Sequence, residues 1–78
     1  MTRKQTLRTI AELFNANTCN TYEETRCQAV VVEDQVVIRS IKEDTCFYHA
    51  DVVAELANAF QLHSFIKYED GFMKGIIW

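Results

Sequence analysis

Val30, Val31 and Val32 stand in a row, and so do Val36, Val37 and Ile38, with only Glu33, Asp34 and Gln35 between them. Branching at Cβ stiffens a side chain in a helix and suits it to a pleated strand. The segment from Arg26 to Ile41 therefore reads as a hairpin that turns on the three polar residues. Successive side chains of a strand point to opposite faces. Three consecutive apolar residues thus leave neither face polar: whichever looks inward, the other is apolar too. The turn holds no glycine, so its type and the register of the pair stay open. The constraint on the fold is then a question of cover: what lies over the second apolar face in a chain of 78 residues?

Two helices are available as cover. Leu7, Ile10, Ala11 and Phe14 fall at i, i+3, i+4 and i+7, the spacing of one helical face, which predicts a helix from Arg3 to Ala16. Thr2 with Gln5 three residues on fits a capping box, and Asn15 and Asn17 are candidate C-terminal stops. Arg8 and Glu12 are spaced for an i,i+4 pair. Val53, Leu56, Ala57 and Phe60 repeat the same apolar spacing, which predicts a second helix from Ala50 to Gln61, with Asp51 in its first turn where the helix dipole favours an acid. The expected core is Leu7, Ile10, Phe14, Val53, Leu56 and Phe60.

The last stretch carries a second hairpin. Asp70-Gly71 is a preferred two-residue turn, and it pairs Tyr68 with Met73, Ile66 with Gly75 and Ser64 with Ile77. That register sets Lys67 against Lys74, and like charges directly opposite are unfavourable. A bulged three-residue loop from Glu69 to Gly71 separates them and fits the sequence equally well. "CFYH", residues 46 to 49, reads as a short strand or as the entry to the second helix.

The order α-β-β-α-β-β predicts one small α+β domain over residues 1–78. Its antiparallel sheet has four strands, or five with a short one at Cys46–Tyr48, packed with two helices. Two arrangements remain open: one helix on each face, or both helices on one face. The second arrangement leaves Phe65, Ile76 and Trp78 exposed, and monomers rarely expose apolar patches beyond a few hundred Å². Trp78 either tucks into its own core or fills a partner's pocket, since Trp is a frequent interface anchor.

Composition narrows the function classes. Net charge is −3, but residues 1–10 carry +3 and residues 11–78 carry −6. An acidic body disfavours non-specific nucleic-acid binding. No apolar run approaches the ~18 residues of a membrane span, so no membrane partner is expected. The first residues lack the apolar centre of a secretory signal. Cys19, Cys27 and Cys46 are an odd set without a CxxC, which reads as free thiols in a cytoplasmic protein.

Sites for chemistry are thin. Cys46 or Cys27 could act as a nucleophile with His49 or His63 as base and Asp44 or Asp51 as orienter, but no motif fixes them. Cys46-x2-His49 with Cys19 and Cys27 would make a Cys₃His zinc set that lacks its second paired motif. Buried thiols and a capping or surface histidine are the simpler reading. The two glycines, Gly71 and Gly75, both lie in the final hairpin, so there is no phosphate loop. The expectation is a protein that is no enzyme and needs no metal or cofactor.

The candidate residues are therefore those of an interface. Glu33-Asp34 and Glu69-Asp70, with Glu23-Glu24 and Glu43-Asp44, are acidic doublets at predicted turns and strand ends. Phe65, Phe72, Ile76 and Trp78 form the exposed apolar set. Arg3, Lys4 and Arg8 are a basic cluster at a helix N-terminus, where positive charge opposes the macrodipole. Short, acidic chains without a catalytic constellation include inhibitors and regulators encoded by phages and mobile elements, a likeness of type and not of motif. The leading expectation is a non-enzymatic protein-interaction module that self-associates, a dimer being favoured, or that engages another protein. The alternative is a nucleic-acid-associated protein using the basic first helix or the Lys67/Lys74 and Phe65/Phe72 face of the last hairpin.

Overall fold

A computed structural model describes residues 1–18, 27–40 and 48–78. Two helices and four strands alternate as the sequence predicts: α1 (Arg3–Thr18), β1 (Cys27–Val32), β2 (Gln35–Ser40), α2 (Tyr48–Ala59), β3 (Ser64–Glu69) and β4 (Phe72–Ile77). The sheet is antiparallel with the order β1-β2-β4-β3. The two hairpins thus meet through β2 and β4, and β1 and β3 form the edges.

Both hairpins turn on two residues. Val32 pairs with Gln35, so Gln35 belongs to the strand and the three-residue turn expected at 33–35 is one residue shorter. Glu33 supplies the positive φ, 54°, that a tight turn requires. In the second hairpin Asp70 and Gly71 take φ of 53° and 85°. The Tyr68–Met73, Ile66–Gly75 and Ser64–Ile77 pairs form, and Lys67 does face Lys74. The bulged alternative is not adopted. Glu69 relieves the like charges, its Oε1 lying 3.0 Å from Lys67 Nζ.

The helices end where backbone groups find partners. At the start of α1 the capping box closes both ways: Thr2 N–H donates to Gln5 Oε1 at 2.9 Å, and Gln5 N–H to Thr2 Oγ1 at 3.2 Å. The helix continues to Thr18, past the expected stops at Asn15 and Asn17. Asn15 has another task. Its Nδ2 donates to the Ala29 carbonyl at 3.0 Å, and its Oδ1 accepts from Ala29 N–H at 2.9 Å. One amide therefore satisfies both backbone groups of a residue on the edge strand β1, which blunts that edge. The second helix begins at Tyr48 and ends at Ala59, two residues ahead of the predicted bounds at each end. Gln61 takes φ 58°. Gln61 N–H bonds to Asn58 O at 3.1 Å and Leu62 N–H to Ala57 O at 2.8 Å, the two bonds of a Schellman stop.

Both helices pack on the same face of the sheet. Leu7, Ile10, Ala11 and Phe14 from α1 and Val53 and Ala57 from α2 bury with Cys27, Ala29, Val36, Ile38, Met73 and Ile77. Leu56 and Phe60, expected in the core, pack against it half-buried. Fully burying one such large apolar side chain contributes about 1.5–3 kcal/mol. Gly75 lies against α2: a Cβ there would sit 3.4 Å from Val53 Cγ2, an ordinary van der Waals contact. Ser40 completes the joint between the hairpins. Its buried hydroxyl accepts from Met73 N–H at 2.8 Å and donates to Met73 O at 3.2 Å, replacing the next backbone rung after Arg39–Lys74.

Candidate functional site

No described helix or strand packs on the other face. Strand alternation and register assign it. Val30 pairs with Val37, Val37 with Ile76 and Ile76 with Phe65, so an apolar row crosses all four strands. Two residues along each strand, Gln28, Arg39, Lys74 and Lys67 form a second row by the same pairings. On the far side of the apolar row stand Val32, Gln35, Trp78 and His63. Trp78 and His63 exchange backbone bonds at 3.0 Å each way, and their rings lie 5.6 Å apart. Phe72 and Glu69 pair beyond the basic row.

The apolar members of this face meet water. Phe65 is 53% exposed, Val32 45%, Val30 42%, Trp78 39% and Phe72 37%. Ile76 is half-buried, and only Val37, in a central strand, is buried at 6%. All four apolar candidates from the sequence, Phe65, Phe72, Ile76 and Trp78, therefore share one surface. Trp78 lies on that surface against His63 rather than in the helix-covered core.

The charged candidates fare differently. Glu33-Asp34 and Glu69-Asp70 are exposed, but they sit at opposite ends of the sheet, because β2 runs from one turn toward the other. Asp34 is engaged by Arg3: the guanidinium Nε lies 2.8 Å from Asp34 Oδ1, and an Nη donates to Asp34 O at 3.1 Å. One member of the basic cluster thus holds one of the acidic candidates, tying the start of α1 to the first turn. Lys4 and Arg8 are exposed on α1, and Arg8 makes no ion pair with Glu12. Glu23, Glu24, Glu43 and Asp44 lie outside the described residues.

Arg39, Val30, Val32 and Val37 were missed as site residues. Only the β2–β4 pairing brings them beside the last hairpin, and strand order is not written in local pattern. With Arg39 included, three cations cross three adjacent strands. Their field is felt by Glu69, whose carboxyl is held below its ordinary range, chiefly by the hydrogen bond and charge of Lys67, then by Lys74, and least by Arg39. Where β2 meets the second turn, Arg39, Ser40, Lys74, Phe72 and Glu69 line a shallow, open depression.

Cys27 is buried at 2% inside the core. Cys19 and Cys46 lie outside the described residues, and of the "CFYH" strand only Tyr48 and His49 fall within them, in α2. Among the described residues, no three His, Cys, Asp or Glu side chains converge as a metal site would require, and no helix is long and apolar enough to cross a membrane. No protein-family model, curated protein or solved structure matches the chain at a significant level.

Proposed function

We propose that this protein is a non-enzymatic interaction module that works through the helix-free face of its sheet, first of all by self-association. The observation that carries the reading is the row Val30–Val37–Ile76–Phe65, flanked by Val32, Trp78 and Phe72, on a face that no described element covers. Contiguous exposed apolar surface on a small domain is where a partner gains most from excluding water. A protein partner of another kind would use the same surface. The acidic turns at its two ends then act as a solvated rim. A short acidic module of this sort suits an inhibitor or regulator that acts by occupying another protein.

Sedimentation equilibrium tests the reading. The native chain is expected as a dimer at micromolar concentration, and Phe65→Glu as a folded monomer, because the substituted side chain is exposed. A native monomer at about 100 μM, a Kd range weaker than specific assemblies show, removes self-association.

A second reading has its own support in the Arg39–Lys74–Lys67 row beside Phe65 and Phe72. Cations beside aromatic rings suit a single-stranded nucleic acid, with backbone on the cations and bases on the rings. The net charge of −3 and the carboxylate of Glu69 beside the basic row weigh against it. Binding of a labelled oligonucleotide that weakens steeply with salt would favour it.

A further inference from the structure

We infer that the partner on the helix-free face is a second copy of this chain, related by a two-fold axis that lies along the row Val30–Val37–Ile76–Phe65. This rests on the self-association just proposed and specifies its geometry.

The size of the face suits a dimer. Four strands about 4.8 Å apart and six residues long span roughly 19 by 20 Å. Two such faces brought together bury on the order of 1,000 Å² once side-chain relief is counted, the lower bound for a specific interface. Face-to-face sheets stay within about 30° of alignment. For identical sheets this leaves two placements of the axis, along the strands or across them.

Charge decides between these two. An axis along the strands sets the Arg39–Lys74–Lys67 row of one copy on the same row of the other. Six cations would then meet while losing water, with the two Glu69 carboxylates at the margin as their only opposing charges on this face among the described residues. An axis across the strands, over the apolar row, turns the basic row onto the opposite end of the partner's face. That end carries Val32, Gln35, Trp78 and His63. Lys74 then lies over Trp78 of the partner subunit, where an indole ring attracts a cation, and the apolar row meets itself. Val37 faces Val37 of the partner subunit and Ile76 faces Ile76 of the partner subunit. Glu33 and Asp34, just past the Val32–Gln35 end, come toward the cationic end of the other copy. The same residues that look ill-assorted on one face, a basic row at one end and an aromatic end at the other, complement each other when the face is turned on itself.

Symmetric cross-linking tests the axis. A residue on a two-fold axis meets its own copy, so Ile76→Cys is expected to give a covalent dimer under mild oxidant, well above the level that the native cysteines give. Lys74→Cys alone is expected to stay at that level, and a mixture of Lys74→Cys with Trp78→Cys to cross-link. Cross-linking of a mixture of Lys74→Cys with Arg39→Cys at or above the Ile76→Cys level overturns the assignment in favour of the axis along the strands, which sets β4 of one copy on β2 of the other. If the native protein sediments as a dimer but Ile76→Cys does not cross-link, the face assignment fails while self-association stands, which would move the contact to the edge of β3. A native monomer overturns both, and oligonucleotide binding by that monomer passes the face to the nucleic-acid reading. Should a cysteine variant fold poorly, the double variant Lys67→Glu/Lys74→Glu, at two half-buried surface positions, decides by sign: several-fold weaker dimerisation supports the crossed arrangement, and stronger dimerisation overturns it.

Discussion

Ile76 and Ile77 are neighbours in β4 and belong to different worlds. Ile77 is fully buried with Phe14, Ile38 and Val53 under the two helices. Ile76 stands in the row with Val30, Val37 and Phe65, on the face without helices. Both faces are apolar, yet the helices fill the middle of one and leave only Val31 and Tyr68, on its edge strands, exposed among its large apolar strand residues. Ser40 closes the ladder beneath the helices, and Asn15 ties α1 to the edge of β1. The other face mixes exposed aromatics, valines and a line of cations. A small domain has little apolar surface to spare. Large apolar side chains on the helix-free face, with Phe65 53% and Val30 42% exposed, are the ones the proposed self-association would cover.

The sharpest contrast is between two phenylalanines. Phe14→Ala is expected to cost about 3–5 kcal/mol of stability by opening a cavity, a large part of what a domain this size has. Phe65→Ala at low protein concentration is expected to change monomer stability by about 0.5 kcal/mol or less, the range of exposed substitutions. Urea unfolding of both variants checks this; comparable losses at the two sites would mean the faces are not distinct.

A smaller effect probes how the covered face is finished. Ser40→Ala removes the hydroxyl that serves both backbone groups of Met73. Leaving buried groups unpaired is expected to cost about 1–3 kcal/mol. It should also speed amide exchange at Met73, which hydrogen-exchange NMR reads directly.

The smallest effect belongs to the open face. Glu69 is expected to titrate below the ordinary carboxylate range, and Lys67→Met to bring it back up, because Lys67 is the main cause of the shift. A depressed carboxyl pKa stabilises the fold fully above the ordinary carboxylate value, and that contribution is lost as the pH falls through the lowered one. The pair is exposed, so the effect is visible in side-chain NMR titration rather than in unfolding.

These contrasts also mark what the sequence could carry. Helical spacing placed Leu7, Ile10, Phe14 and Val53 in the core, and Asp70-Gly71 fixed its own hairpin, because periodicity and turn chemistry are local. The first turn was misjudged by one residue because Glu33 takes a left-handed conformation that the sequence usually reserves for glycine or asparagine. Asn15 looked like a helix stop, since its bond to Ala29 is made across 14 positions that local pattern does not span. The exposed aromatic set was legible as a consequence of putting both helices on one side; which side they would choose was not. Arg39 stayed hidden for the same reason: its place beside Lys74 depends on β2 pairing with β4, a long-range choice made by packing.

The two isoleucines allow the comparison to be tested inside one unaltered molecule. Methyl-labelled protein diluted from millimolar to micromolar concentration should show the Ile76 δ-methyl resonance moving or broadening as the helix-free faces separate, while that of Ile77 stays in place. An Ile76 signal that ignores concentration, or an Ile77 signal that follows it equally, would contradict the claim that the uncovered face is where copies of this chain meet.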